Sequence, residues 1–134
     1  RATAISEIPI AALLVHNGAI LARSHNYRET WQDPTAHAEM IAITQAAEAL
    51  QSWRLTGCTL YVTLEPCIMC AAALIHARVD RVVFGAWDPK AGGAGSIANV
   101  FNIRELNHRV DVFGGVLAAE CGALLSDFFR ARRQ

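Results

Sequence analysis

The sequence lacks a long hydrophobic run, an excess of charge of either sign, and the many cysteines of a disulfide-rich scaffold. Of its 134 residues, 12 are Lys or Arg and 12 are Asp or Glu, so the formal net charge is zero. That balance excludes a polycation that binds any nucleic acid through bulk electrostatics. Hydrophobic residues make up 53% of the chain, but no apolar stretch approaches the roughly 18 residues of a membrane span. These absences favour one globular domain over residues 1–134.

Only four cysteines occur, and two of them are three positions apart. Cys67 and Cys70 form a Cys-x-x-Cys pair, and His37 lies upstream. Such a pair with an upstream histidine is more typical of a metal site in a reducing compartment than of a disulfide framework. The sequence therefore predicts a cytoplasmic metalloprotein in which Cys58 and Cys121 are small buried hydrophobic residues.

Strand and helix signals alternate along the chain. Asn17-Gly18 is a strong hairpin signal between an apolar run over 10–15 and a second strand over 19–26. The order β-β-α-β-α-β-β-α predicts an α/β domain whose largely parallel sheet has helices on both faces and the hairpin at one edge. The further predicted helices are 35–50, 67–78 and 117–132, and the further strands are 59–64, 81–86 and 110–113.

Two of these helices begin beside candidate metal ligands. Asp33 is a predicted N-cap, with Pro34 suited to the first helical position, and Pro66 precedes the cysteine pair. His37 and Glu39 are two residues apart, so in the middle of a helix they would point to nearly opposite sides. They converge only if the first turn of their helix faces the metal end-on. We therefore expect two helix N-termini to meet over one ion.

The chemistry is predicted to reside in the segments His-Ala-Glu (37–39) and Pro-Cys-Ile-Met-Cys (66–70). One imidazole and two thiolates can bind Zn²⁺ and leave a fourth position open for water. The same combination of His-x-Glu and Pro-Cys-x-x-Cys is the signature of the zinc deaminases. We predict His37, Cys67 and Cys70 as zinc ligands. Glu39 is the predicted catalytic proton shuttle, which takes a proton from water and delivers it to a ring nitrogen and a leaving amine.

Each part of this signature also has a structural interpretation. A single Cys-x-x-Cys is common in structural zinc sites, and His37 alone is compatible with a packed core histidine. Glu65 is the main rival to Glu39 as the acid/base, although a hydrogen-bonding role at the helix start is favoured for it. A zinc-stabilised binding or assembly module would need a closed site, and the sequence offers no obvious fourth ligand near the three.

The chain resembles the bacterial tRNA-specific adenosine deaminases, within the cytidine deaminase superfamily, over nearly its whole length. Its His-Ala-Glu triplet favours this branch over the free-nucleoside cytidine deaminases, which usually carry Cys-Ala-Glu. Guanine and deoxycytidylate deaminases also have the histidine form. The matching runs are Pro34–Glu39, Thr59–Cys67, Arg81–Gly85 and Leu124–Phe129, with a shorter match over Asn107–Val110.

The resemblance implies a cytidine deaminase-like, three-layer α/β/α fold with a mixed five-stranded sheet and an N-terminal hairpin. It implies one zinc ion per chain and hydrolytic conversion of adenosine to inosine at the wobble position of a tRNA anticodon. It also implies a homodimer whose RNA surface draws on both subunits, and contact of Asn26 with the inserted nucleoside. Trp87 stands where relatives often carry a basic residue, just before Asp88, and both are predicted to bind substrate.

Two departures from the family pattern bear on the substrate. The family's N-terminal helix is expected to be missing or reduced to residues 3–7. Tyr27 and Trp31 lie in a loop expected to border the pocket, either as ordinary surface aromatics or as a stacking surface for bases. That loop leaves open a second function, deamination of cytosine in single-stranded DNA or RNA, or of guanine. Predicted phosphate contacts, which are also compatible with a solvated helix end, are Lys90, Arg109, Arg130, Arg132 and Arg133.

Overall fold

Five strands form one sheet in the structure, a computed structural model that describes residues 7–106, 108–120, 122–123 and 127. The sheet order is β2-β1-β3-β4-β5. Strand β1 pairs antiparallel with both neighbours, whereas β3, β4 and β5 are parallel. The mixed five-stranded sheet with an N-terminal hairpin is therefore confirmed. The strands are β1 (Ala11–His16), β2 (Ala19–His25), β3 (Cys58–Leu64), β4 (Arg81–Ala86) and β5 (Asp111–Phe113).

The hairpin turn follows from its two residues. Asn17 has φ 51° and Gly18 has φ 78°, the left-handed conformation that a two-residue turn of this kind requires at both positions. Asn and Gly adopt it at low cost, so the dipeptide sets the place at which the chain reverses. The predicted hairpin is confirmed, with a register shift between Leu14 and Val15.

Three helices and one 3₁₀ turn connect the strands: α1 (Arg28–Trp31), α2 (Ala38–Leu50), α3 (Ile68–His76) and the turn Val100–Asn102. The prediction of Asp33 as the N-cap of α2 is wrong. Its carboxylate instead accepts hydrogen bonds from the amide and the hydroxyl of Thr35, both at 2.8 Å, which closes a local turn. The N-cap is His37, in extended conformation, and α2 begins three residues later than expected.

Helices α2 and α3 cover one face of the sheet. The side of α2 that meets β1 and β2 consists of alanines at a spacing of four, and Ala38, Ala42 and Ala46 are fully buried. Small side chains let the helix approach the strands closely, so the backbone at its N-terminus is held firmly. On the strand side, the fully buried residues of this core include Leu14, Leu60 and Val82.

The opposite face of the sheet is only partly covered by the described residues. A cavity of about 240 Å³ lies there, lined by side chains that include Leu13, Tyr61 and Val83. Val116 and Leu117 line its edge, where the last helix begins. Residues 118–120 and 122–123 are helical, in agreement with the predicted start of that helix.

Several expectations fall outside the described residues. They include most of the predicted helix over 117–132, the predicted phosphate contacts Arg130, Arg132 and Arg133, and the expected stub over 3–7 apart from Glu7. Within the part of the chain that the structure describes, no helix is both long and apolar enough to cross a membrane.

Candidate metal centre

Two helix N-termini meet at one point, as the spacing of the motif requires. His37 is the N-cap of α2, and Cys67, which follows β3, is the N-cap of α3. The Cys67 sulfur accepts a hydrogen bond from the backbone N–H of Cys70 at 3.5 Å. Free amides and the positive end of a helix dipole stabilise a thiolate at this position, which is the form of cysteine that binds metals.

The three predicted ligands are arranged as a metal site needs. The Nδ1 atom of His37 lies 3.6 Å from the sulfur of Cys67 and 3.5 Å from that of Cys70. Zn–S bonds of about 2.3 Å and Zn–N bonds of about 2.0 Å at a tetrahedral angle separate nitrogen from sulfur by about 3.5 Å. Within the described ranges, this is the one group of three or more His, Cys, Asp or Glu ligands close enough to share an ion. The residues therefore fit a three-ligand metal site.

The three groups strongly affect one another's protonation. Hydrogen bonds from Cys70 and then from His37 lower the pKa of Cys67 to about 4, although burial opposes this shift. The pKa of Cys70 is raised well above the usual value for a thiol by its hydrogen bond to Cys67 and by burial. The hydrogen bond to Cys67 also raises the pKa of His37. The pocket thus stabilises a thiolate at Cys67 while Cys70 keeps its proton, and a cation bound between the two sulfurs would be attracted by the Cys67 thiolate.

Glu39 lies in the first turn of α2, beside this group. Its side chain is 4% exposed, and burial raises its pKa to about 7. It also interacts with the thiol of Cys70. A carboxyl group that gains and loses a proton near neutral pH is suited to general acid and base catalysis. The structure thus brings Glu39 close to the three candidate ligands without making it one of them.

Glu65, the rival acid/base, is fully occupied by structural hydrogen bonds. Its carboxylate accepts from the amides of Asp88 at 2.9 Å, Ala94 at 2.9 Å and Ser96 at 3.1 Å, and from the hydroxyl of Ser96. Burial opposes ionisation, yet these donors hold its pKa below the usual value. Glu65 therefore fixes the segment after β4 against the start of α3, which is the role that the sequence favoured.

We expect Glu65→Gln to destabilise the fold by about 2–3 kcal/mol. The NH₂ group of glutamine cannot accept a hydrogen bond, so some of the N–H and O–H groups that donate to the Glu65 carboxylate would be left without an acceptor. Urea unfolding with metal present measures this, and Glu105→Gln, at an exposed position, is the control. Equal free energies of unfolding for the two variants would contradict the role assigned to Glu65.

Two glycines that were not among the predicted site residues allow the loop after β4 to approach the cysteine helix. Gly92 forms a bridge with Cys67, and the amide of Gly93 donates to the carbonyl of Pro66 at 2.7 Å. A Cβ on Gly93 would lie 2.9 Å from the carbonyl carbon of Cys67, and one on Gly92 would overlap the Glu65 carboxylate. The signal available was a Gly-Gly pair following a strand at the edge of the sheet where the ligands lie.

Asn26 is buried beside this region at the end of β2, with 3% of its surface exposed. Its side-chain amide has no hydrogen-bond partner within the described residues. A buried amide without a protein partner gains stability from a ligand that supplies one.

Trp87 and Asp88 lie at the end of β4. The Trp87 ring packs edge-on against Phe84, with centroids 4.8 Å apart, and is half exposed. The Asp88 carboxylate accepts from the amides of Lys90 at 3.0 Å and Ala91 at 3.3 Å, so it shapes its own loop. No described contact joins either residue to the metal group, and their part in substrate binding stays a prediction.

A mixed α/β sheet with a three-ligand cysteine–histidine group at two helix starts defines the class of the protein, that of the nucleobase deaminases. Comparison with known proteins agrees, since the family model of the MafB19-like deaminases matches residues 1–133.

Individual relatives narrow this class. The tRNA-specific adenosine deaminase of Bacillus subtilis is 56% identical over 128 residues, which are 96% of this chain and 80% of the relative. That of Haemophilus influenzae is 47% identical, covering 100% of this chain and 78% of the relative. A solved structure from studies of A-to-I editing by tRNA:A34 deaminases superposes with a TM-score of 0.89 at 45% identity, covering 92% and 90% of the two chains. The chain belongs to the family of tRNA-specific adenosine deaminases.

Proposed function

We propose that the protein is a zinc-dependent hydrolase that converts adenosine to inosine at the wobble position of a tRNA anticodon. The observation that carries this proposal is the group of His37, Cys67 and Cys70, with nitrogen–sulfur distances of 3.5 and 3.6 Å beside the buried Glu39. The relatives named tRNA-specific adenosine deaminases support adenosine in tRNA as the substrate.

Zinc bound by His37, Cys67 and Cys70 supplies Lewis-acid chemistry, which makes a water molecule acidic near neutral pH. Glu39 accepts a proton from the attacking water and delivers it to the ring nitrogen next to the reacting carbon. It then transfers the second proton of that water to the exocyclic amine. A carbon–oxygen bond forms, the carbon–nitrogen bond breaks, and ammonia leaves. Burial of Glu39 supports this role, because it keeps the pKa of the carboxyl near 7.

The substrate nucleoside must leave the base stack, because the amine-bearing carbon cannot be reached inside it. Asn26 is the residue that we propose binds the extruded nucleoside, since its buried amide has no partner in the part of the chain that the structure describes. An amide can donate and accept at once, so it can bind both a ribose hydroxyl and a base edge.

We also propose one zinc ion per chain, a homodimer and a cytoplasmic location. Two reduced thiols in the site suit a reducing compartment. Ala72 and Ala73 in α3 are only partly buried, and their small side chains let a second copy pack closely against them. Metal analysis and sedimentation velocity test the first two proposals directly.

The test of the main proposal is inosine formation in an anticodon stem-loop RNA with adenosine at the wobble position, measured by mass spectrometry of the digested nucleosides. The same stem-loop with cytidine at that position, a single-stranded DNA and free guanine are assayed in parallel. We expect inosine from the first substrate and little product from the others. Faster reaction of any other substrate, or a metal-loaded sample that leaves the RNA unchanged, would overturn the substrate assignment.

A further inference from the structure

Three aromatic rings in successive contact, those of His25, Tyr27 and Trp31, form what we call the aromatic column next to the site. The ring of Tyr27 stacks on that of Trp31, with centroids 4.6 Å apart and an interplanar angle of 12°. The Tyr27 ring also contacts that of His25, with centroids 4.3 Å apart and a tilt of 32°. The Tyr27 hydroxyl and Nε2 of His25 are also hydrogen-bonded at 3.0 Å. Trp31 is the outer member of this aromatic column, and it is 54% exposed.

The column stands on a short helix that a distant carboxylate anchors. The buried side chain of Glu7 accepts hydrogen bonds from two amides of α1, those of Glu29 at 3.2 Å and Thr30 at 2.5 Å. Burial opposes ionisation of Glu7, but the side chain of Thr30 and these two amides hold its pKa below the usual value. Trp31 is therefore held in place by α1 and by the stack itself.

The column lies beside the proposed nucleoside pocket. Tyr27 directly follows the buried Asn26, and its amide donates to the carbonyl of Ala36 at 3.0 Å. Ala36 in turn directly precedes His37. The backbone of Tyr27 is thus joined to Asn26 by the chain and to the residue before His37 by a hydrogen bond.

A second exposed tryptophan, Trp53, differs from Trp31 because two arginine side chains lie over its ring. Trp53 is 59% exposed, but the guanidinium groups of Arg54 and Arg78 lie over its ring, 4.8 and 5.8 Å from the centroid. It follows the C-terminus of α2, a whole helix away from the metal group. Among the described side chains, the ring partner of Trp31 is Tyr27 alone. The other face of the Trp31 indole therefore carries no aromatic or cationic group of the described residues.

We propose that this face stacks on the base next to the edited adenosine, so that the aromatic column continues the base stack of the bound loop. This inference rests on the proposed function. A stack of this kind favours any neighbouring base through its π face and requires no hydrogen-bond readout. It would hold the flanking nucleotide while its neighbour is extruded into the pocket.

The test is binding of a labelled anticodon stem-loop, measured by fluorescence anisotropy, to the metal-loaded protein and its Trp31→Ala, Trp31→Phe and Trp53→Ala variants. We expect Trp31→Ala to raise Kd about tenfold, Trp31→Phe to keep most of the affinity, and Trp53→Ala to change Kd less than twofold. The decisive measurement uses stem-loops with an abasic nucleotide on either side of the edited position. With one of these two stem-loops, wild type and Trp31→Ala should have the same Kd.

The inference would be overturned if Trp31→Ala and Trp53→Ala raised the Kd of the stem-loop equally. So would a tenfold loss that persists with both abasic stem-loops, since that result indicates a structural role for Trp31. Thermal unfolding and metal content of each variant show whether α1 has been disturbed. Failure of the proposed function has a separate signature, namely wild-type protein that binds the RNA and forms no inosine.

Discussion

Replacing Glu39 with alanine is expected to lower kcat by at least about a thousandfold while the bound metal stays in place. The carboxyl group is the only acid/base that the structure brings to the metal group within the described residues, because Glu65 is occupied by structural donors. No ligand is removed by the change, since Glu39 is not part of the three-residue metal group. Inosine formation gives the loss of rate, and elemental analysis gives the metal content.

Glu48→Ala is the matched control, because Glu48 is on the same helix and exposed. It should leave both rate and metal content unchanged. Turnover by Glu39→Ala within tenfold of wild type would show that another group moves the protons. Loss of metal together with turnover would place Glu39 among the groups that hold the ion.

Features of the structure that depend on a few adjacent residues could be predicted from the local sequence. Asn17-Gly18 sets the hairpin because both residues tolerate positive φ. The metal group could be predicted from spacing, since Cys67 and Cys70 share one turn of a helix and a proline before them marks its start. His37 required one further step, the deduction that its helix meets the metal end-on.

Features that depend on distant residues could not be predicted in this way. Helix α1 is anchored by Glu7, more than twenty positions earlier in the chain, so its four residues carry no sufficient signal of their own. The start of α2 was misplaced because the Asp33 carboxylate can cap a helix or close a turn with Thr35, and local propensity does not separate the two. The role of Gly93 depends on the close approach of Cys67, which only the assembled sheet reveals.

Removing one thiol from the metal group should lower the rate of deamination as much as removing the Glu39 carboxyl group does. The cause is different, because the bound metal ion is lost. We expect Cys70→Ala to lower the metal content from about one ion per chain to near zero and to abolish deamination. Metal bound at a thousand times its Kd stabilises a fold by about 4 kcal/mol. Wild-type protein should therefore lose stability on treatment with a chelator, whereas Cys70→Ala should not respond.

Cys58→Ala separates ligation from packing. Cys58 and Cys70 are both fully buried, but Cys58 lies at the start of β3 and is not part of the metal group. It should keep its metal and its chelator response, with only the modest loss of stability that a small cavity causes. If the two variants lose metal equally, a buried thiol matters here for packing and Cys70 is not a specific ligand. If Cys70→Ala retains a full complement of metal and deaminates normally, the ion is held elsewhere, and the reaction assigned to Glu39 loses its physical basis.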